Sequence, residues 1–341
     1  MSEITTSGTD ARPTSHVWVV GLTIASLVLV TLALCLGPVP FDPARALHAL
    51  SGDGPAWERT VILELRLPRL LVAAMVGWAL ATSGTALQSL FKNPLADPGV
   101  LGVSAGASLG AVLAIASGLA AVSASVLPMS AALGAALAAL LLVGLATSAA
   151  ERTISLLVLG VALSSLLSAI TALVVALSLA DYLVAQQIVY WLMGGLEART
   201  WDHVLGGLAP IALATVLLQL RARELDALQL GEIEASVLGI DVPRARLVLV
   251  LATAILVGTS VSIAGSIAFV GLLVPHAVRL VAGARHGMLV PLSGAVGALF
   301  VVAADLVART ALAPREIPVG VITALVGAPL LFALARARSR A

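Results

Sequence analysis

The chain has 341 residues, of which 60% are hydrophobic and 11% are charged, whereas about a quarter are charged in a soluble domain. A mean hydropathy of +1.08 excludes a water-soluble protein, and a net charge of +1 leaves no basic excess for binding nucleic acid. The apolar runs are long and unbroken, without the alternation of barrel strands. The sequence therefore predicts an all-α polytopic membrane protein.

These apolar runs predict about ten spans, since roughly 20 residues are needed to cross a bilayer as a helix. The first run follows a polar tail at 1–16. We interpret it as a retained span because no positive segment precedes it and because it is longer than the apolar core of a signal peptide. The spans form a membrane domain at 17–335, followed by a tail at 336–341. They are placed at 17–37, 67–91, 99–118, 128–149, 154–179, 203–220, 247–266, 267–281, 289–309 and 317–335.

Basic residues give the expected orientation, because Lys and Arg are kept in cytoplasmic loops. An N-terminus on the inside places Lys92, the arginines of 221–246 and those of the C-terminal tail in the cytoplasm. Both termini are therefore predicted to be cytoplasmic. In addition, Gly84 and Gly265 each precede a proline by ten residues, which predicts a weak inverted repeat of the kind that builds gates in transporters.

Arg66 and Arg69 flank Pro68 at the predicted outer start of the second span. Proline suits a first helical turn, whereas a cation there faces the positive end of the helix dipole. A partner anion would relieve this repulsion. Snorkelling of both side chains to the lipid headgroups is the alternative.

Two G-x-S-x-G strings, at 102–106 and 106–110, contain Ser104 and Ser108. A hydrolase nucleophile in this motif needs a strand before it and a helix after it. A loop entering a membrane helix favours packing of small residues instead. An intramembrane serine protease stays an alternative, and it would need His276, the one histidine within a predicted span.

Lys92 is the only lysine and is followed by asparagine, so the chain lacks the P-loop that binds nucleotide phosphates. Any ATP-driven role would therefore need a separate subunit. The five histidines are scattered, and Cys35 is the single cysteine. The sequence accordingly predicts no catalytic group, no metal site, no cofactor and no internal disulfide.

Small residues form one face of each of two predicted spans, which is typical either of helix packing or of a path for a solute. Because neither face carries a charge, we interpret both as lining a path that passes a bulky solute without holding it. The residues are Gly160, Ser164 and Ser168 in the fifth span, and Gly320, Thr323 and Gly327 in the tenth.

The longest charged stretch, at 221–246, interleaves acids with leucine and isoleucine. Gly231 and Gly239 divide it, which predicts short amphipathic helices that end at glycine. A solvated linker would not need so many leucines, so we predict a surface for a cytosolic partner.

Charges within the spans are few. Asp305 and Arg309 lie four residues apart in the ninth span and are interpreted as an ion pair on one helix face. A proton-coupled secondary carrier stays an alternative, although no span has the string of buried carboxylates expected of one.

Seven strings, in this order, resemble the iron-siderophore and cobalamin permease family (FecCD type) of type II ABC importers. They cover nearly everything after residue 60. The strings are R-L-P-R at 66–69, S-G-T-A-L-Q at 83–88, N-P-L-A-D-P-G-V-L-G-V-S-A-G-A at 93–107, L-G-E-I-E-A-S-V-L-G-I at 230–240, A-G-S-I-A-F-V-G-L-L-V-P-H at 264–276, A-D-L-V-A-R at 304–309 and E-I-P-V-G-V-I-T-A-L-V-G-A-P at 316–329.

The resemblance implies a ten-span permease of the bacterial plasma membrane that pairs with a second permease subunit, either a copy or a related chain. Two cytosolic ATPase subunits would drive it, and an extracytoplasmic binding protein would deliver the solute. We expect that solute to be a ferric siderophore, with cobalamin or haem as the alternative.

The resemblance also assigns roles to residues. Arg66, Arg69 and Arg309 would receive acidic side chains of the binding protein, and the fifth and tenth spans would line the path. Thr153 and Ser155 fall where the family has its inner gate. The ATPase would seat on the helices at 227–240, with Leu228, Gly231, Glu232, Glu234 and Gly239 as coupling residues.

Overall fold

The structure is a computed structural model that describes residues 15–148 and 153–338. Within these residues the regular structure is entirely helical. A π-helical turn at Thr60–Arg66 joins α3 to α4. The helices are α1 Ser15–Cys35, α2 Pro43–Leu50, α3 Ala56–Arg59, α4 Leu67–Leu90, α5 Val103–Ala116, α6 Val126–Ser148, α7 Thr153–Ser178, α8 Tyr182–Leu192, α9 Trp201–Leu220, α10 Ala222–Leu230, α11 Glu232–Val237, α12 Val242–Ala264, α13 Val270–Ala282, α14 His286–Thr310 and α15 Val319–Arg338.

Six helices in the described residues are long and apolar enough to cross a membrane, and four shorter apolar helices accompany them. Each coincides with one of the predicted spans, so the all-helical membrane architecture is confirmed. The long helices are Ala56–Leu90, Val126–Leu145, Leu156–Ser178, Trp201–Leu220, Val242–Ala264 and His286–Thr310. The shorter ones are Val20–Cys35, Val103–Ala116, Val270–Ala282 and Val319–Phe332.

Two features differ from the predicted boundaries. The second span begins near residue 56, well before 67, because the π-helical turn carries the helix through Arg66. The loop expected between the fifth and sixth spans contains α8. Asp181 caps α8 by accepting hydrogen bonds from the backbone N–H groups of Leu183 and Val184, at 3.0 and 3.3 Å.

Helix α4 lies at the centre of the bundle. Every residue from Ala79 to Leu90 is buried, against α14, α12, α13 and α9. Lipid is as apolar as leucine, so helices in a membrane associate through close packing and not through exclusion of water. The sequence of α4, rich in alanine, glycine, serine and threonine, allows that close approach.

Glycines mark the closest contacts of α4. Gly77 lies against the backbone of Gly297 in α14, and Gly84 lies against Gly271 in α13. A Cβ atom at any of these four glycines would overlap the backbone or a side chain of the neighbouring helix. These contacts set the distances between α4 and its two neighbours.

The two segments of the predicted inverted repeat have different local structures. Gly84 is in the interior of α4 and Pro94 follows that helix, whereas Gly265 ends α12 and Pro275 is inside α13. Gly265 has φ +71°, which suits glycine because it has no side chain. The local structure at these four residues therefore does not show the repeat.

We expect Gly84→Ala to destabilise the protein, because the new methyl group meets the Gly271 carbonyl and overpacking of this kind costs about 1–3 kcal/mol. Thermal unfolding in detergent, followed by tryptophan fluorescence, would show a lower Tm. Gly206→Ala in α9 is the matched control, because nothing lies within 4 Å of its added Cβ. A Gly84→Ala protein as stable as this control would contradict the close-packing assignment.

Candidate functional site

A cavity of about 680 Å³ lies between α5 and α7 and reaches the segments before α5 and α13. Uncharged residues line it, most of them small: Gly99, Ser104, Ala105, Ser108, Ser164, Ser168, Thr171, Ala172, Val175, Ala176, Leu179, Leu192 and Ser266. The predicted path residues Ser164 and Ser168 are therefore at this cavity, whereas Gly160 is buried one turn away and is not in its lining. Such a surface can pass a solute without binding it tightly.

The predicted face of the tenth span has a different environment. Gly320 donates its backbone N–H to the Gly194 carbonyl at 3.2 Å, and Thr323 is fully buried. Gly327 lies against the ring of Phe269, where an added Cβ would come within 2.5 Å. In this chain the three residues are buried, and their role in a path stays a prediction.

The predicted inner-gate residues are at the beginning of α7, which starts at Thr153. The side chains of Thr153 and Ser155 lie outside the part of the chain that the structure describes. Their role as a gate stays a prediction.

The serines of the G-x-S-x-G strings have no hydrolase environment. Gly106 and Gly110 pack against the backbone of α6, as expected for small-residue packing. Ser104 and Ser108 line the cavity beside α7, whereas His276 lines a separate cavity of about 320 Å³. The structure therefore does not bring these serines and this histidine to one site.

Arg66 and Arg309 both bind backbone carbonyls near the end of α1. The Arg66 guanidinium donates to the carbonyls of Leu34 and Val39, and Arg309 donates to that of Ala33. Arg66 also lies over the Phe41 ring, with its Cζ 4.9 Å from the ring centroid. Both side chains are buried, so neither presents its charge at the surface.

Arg69 binds two carboxylates of the same chain. It approaches Asp305 at 2.8 Å and Glu316 at 2.9 Å, and 12% of its side chain is exposed. The expected pair of Asp305 with Arg309 is present, with Arg309 Nε 3.8 Å from the carboxylate, and Arg69 is a second and closer partner of Asp305. Asp305 and Glu316 of the same chain thus supply the anion needed near the start of α4. Docking of a binding protein on these arginines stays a prediction.

A second polar group lies at the end of α8 and just after it, and was not predicted from the sequence. Tyr190 donates its hydroxyl hydrogen to Glu197 at 2.5 Å, and burial together with that carboxylate raises the pKa of Tyr190 to about 12. Burial and the charge of Arg69 lower the pKa of Arg199 to about 10. The Asp181 cap is the sequence signal that could have located α8.

Helices α10 and α11, with the residues up to 240, form what we call the coupling segment, 222–240. The predicted amphipathic helices are present, and Gly239, with φ +83°, adopts a left-handed conformation after α11. Leu228 is buried against the protein's own core, and Glu232 pairs with Arg246 at 2.7 Å. Outward-facing apolar side chains instead form an exposed patch: Leu230, Ile233, Val237 and Leu238.

Ser89, His286 and Asp226 form a hydrogen-bonded chain at the predicted cytoplasmic end. His286 Nδ1 lies 2.7 Å from Asp226 and Nε2 lies 2.5 Å from the Ser89 hydroxyl. The order of groups is that of a serine hydrolase triad, but Ser89 and His286 are both fully buried, so no substrate reaches the hydroxyl. Sequence reasoning missed this cluster because its members are far apart in the chain.

Comparison with known proteins gives consistent matches. The sequence model of the FecCD transport family matches residues 24–337. The vitamin B12 import system permease protein BtuC of Vibrio parahaemolyticus is 42% identical over 319 residues, covering 92% of each chain. The Fe(3+) dicitrate transport system permease protein FecD of Escherichia coli is 37% identical, covering 90% of this chain and 94% of FecD.

A solved structure gives the same fold. The chain superposes with a TM-score of 0.82 on a protein described as a metal-chelate type ABC transporter in an inward-facing conformation. The two are 34% identical, and the match covers 94% of this chain and 99% of the other.

We expect Arg69→Ala to lower the stability of the protein, because Asp305 and Glu316 would lose their closest cation in a mostly buried site. Removing one partner of a buried ion pair costs on the order of 3 kcal/mol. Arg244→Ala, which removes an arginine whose side chain is 85% exposed, is the matched control. Equal Tm values for the two variants would show that Arg69 has no structural role.

Proposed function

Since this chain belongs to the FecCD transport family and is the permease of a metal-chelate type ABC importer, we propose that its solute is a ferric siderophore. The single observation that carries the general function is the family match over residues 24–337. As a permease, the chain is not catalytic, and ATP hydrolysis belongs to another subunit. The protease and secondary-carrier alternatives are therefore set aside.

Two observations support an iron chelate as the solute. The cavity beside α7 has no charged residue in its lining and is wide enough for part of a bulky complex. The relative FecD is named for ferric dicitrate. Cobalamin is the second candidate, because the relative BtuC is named for vitamin B12 and has the higher identity, 42% against 37%.

We further propose that Ser164 and Ser168 line the path and that a second permease subunit closes it. Much of α7 is exposed in the single chain, as a helix facing a partner or a central path would be. Thr153 and Ser155, at the start of the same helix, are kept as proposed inner-gate residues. Gly320, Thr323 and Gly327 of the tenth span are kept as proposed path residues.

The ATPase is proposed to bind the coupling segment. Ile233 is 78% exposed and Val237 is 82% exposed, and together with Leu230 and Leu238 they form an apolar patch that water alone would disfavour. Leu228 is buried and holds this segment against the protein core. The turns and polar positions of the segment are formed by Glu232, Glu234, Gly231 and Gly239. With this end in the cytoplasm, both termini are cytoplasmic and the chain lies in a bacterial inner membrane.

A binding protein is proposed to dock at the opposite end, which contains Arg66, Arg69 and Arg309. Arg69 borders the surface, and an acidic side chain approaching it would compete with Asp305 and Glu316. Arg66 and Arg309 support the same end from inside through their bonds to backbone carbonyls.

We expect the double variant Ile233→Asp with Val237→Asp to weaken binding of the ATPase at least about tenfold, because two buried carboxylates would replace the centre of an apolar contact. Co-purification of the cognate ATPase from membranes measures this. Val122→Asp is the control, because Val122 is similarly exposed, at 75%, and lies at the predicted outer end. Unchanged ATPase recovery with the double variant would remove the assignment.

We expect deletion of the gene for this chain to abolish uptake of ⁵⁵Fe from ferric siderophores and to leave uptake of ⁵⁷Co-cyanocobalamin unchanged. A panel of hydroxamate, catecholate and carboxylate siderophores, with haemin as a further arm, would identify the solute class. Restoration by the wild-type gene is the control. Loss of cobalamin uptake with iron uptake intact would replace the siderophore proposal by the second candidate.

A further inference from the structure

We propose that His286 is a positioning residue that ties the coupling segment to α4 and α14, so that a displacement of α10 is passed directly to those two helices. The inference rests on the proposed function. It deepens that function by naming the residue through which movement driven by the ATPase enters the membrane helices.

Asp226 of α10 holds the first residue of α14 by two hydrogen bonds. The backbone N–H of His286 donates to Asp226 Oδ1 at 2.9 Å, and Nδ1 of the same residue lies 2.7 Å from that oxygen. Because a carboxylate only accepts hydrogen bonds, Nδ1 carries the proton. The backbone bond fixes where α14 begins, and the side-chain bond fixes the orientation of the imidazole ring.

The other side of the imidazole reaches α4. His286 Nε2 forms a 2.5 Å hydrogen bond with the hydroxyl of Ser89, in the last turn of α4. The same hydroxyl accepts hydrogen bonds from Gln229 of α10 at 3.2 Å and from Arg279 of α13 at 3.3 Å. Four helices therefore meet at two adjacent side chains.

The cluster differs from the other attachments of the coupling segment. Leu225 and Leu228 pack against the core, and apolar contacts of this kind permit a helix to rotate or slide by small amounts. The Glu232–Arg246 pair joins the segment to α12, and not to α4 or α14. Hydrogen bonds are directional, and Asp226 makes two of them to a residue whose own side chain is fully buried, so the His286 cluster is the attachment that keeps α10 in register with α4 and α14.

A fully buried polar group costs free energy unless it is hydrogen-bonded. The members of the cluster therefore stay together when a helix moves. If α10 moved away alone, Nδ1 of the fully buried His286 would lose its acceptor and Ser89 would lose its bond from Gln229. Movement of α10 together with α4 and α14 keeps the bonds. The lower-energy response to a pull on the coupling segment is therefore a joint movement of these helices.

The test compares Asp226→Ala, which removes the oxygen acceptor, with Asp226→Asn, which keeps one, and with Asp241→Asn as the matched control. Asp241 follows the coupling segment and caps α12, a position where asparagine also serves. Asp226 is 42% exposed on its side chain, so its truncation leaves the buried core filled.

Hydrogen–deuterium exchange of the full chain in lipid nanodiscs is the first readout. We expect Asp226→Ala to increase exchange at 222–230 at least about tenfold without changing exchange at the opposite end of α4. The asparagine variant and the control should match the wild type. Unchanged exchange at 222–230 would overturn the proposed tie.

Transport in proteoliposomes with the cognate ATPase and binding protein is the second readout, using the solute identified by the uptake panel. We expect Asp226→Ala to lower the number of solute molecules moved per ATP severalfold, with ATPase binding and ATP hydrolysis retained. An unchanged ratio would overturn the coupling role, as would loss of ATPase binding, which would place Asp226 in that interface.

Experiments on the wild-type chain distinguish a failure of the proposed function from a failure of the proposed role of His286. Failure of the wild type to bind any ATPase would overturn the proposed function, and with it the coupling role. The exchange experiment would still decide whether His286 ties α10 to α4 and α14, because it uses this chain alone.

Discussion

Direct contact between helix backbones, through glycine, is the constraint on which the rest of this protein depends. In hydrocarbon there is no gain from removing apolar side chains from water, so helices are held by dispersion contacts and by hydrogen bonds between them. Gly77 and Gly84 place α4 directly against α14 and α13. The central position of α4 follows from these contacts, and so does the position of everything attached to its ends.

Both ends of α4 carry polar clusters that include the same neighbour, α14. At one end Arg69 joins α4 to Asp305 of α14, and at the other Ser89 joins α4 to His286 of α14. The glycine contact at Gly77 lies between them. We expect two helices that are joined at both ends and in direct contact at Gly77 to move as one body. A transporter needs such a body to carry movement from one side of the membrane to the other.

The positions of the spans were predictable because apolar length is a property of contiguous residues, and the amphipathic helices around Gly231 were predictable for the same reason. The Arg69–Asp305 pair was not, since the nearer partner in sequence, Arg309, gave a plausible pair on one helix. Leu228 and Thr323 show the same limit, because a small or apolar residue suits both a contact surface and a core. Whether such a residue lies at a contact surface or in the core depends on the neighbouring helix and not on the helix that contains the residue.

Cys35 is the only cysteine of the chain and is 6% exposed, at the end of α1. A water-soluble maleimide reacts with a thiolate that it can reach, and this thiol is enclosed by protein. The natural sequence therefore already serves as an unlabelled background for fluorescence or spin-label work. A cysteine introduced on the outer face of α11 would be the one thiol open to the reagent, with Cys35 left in place.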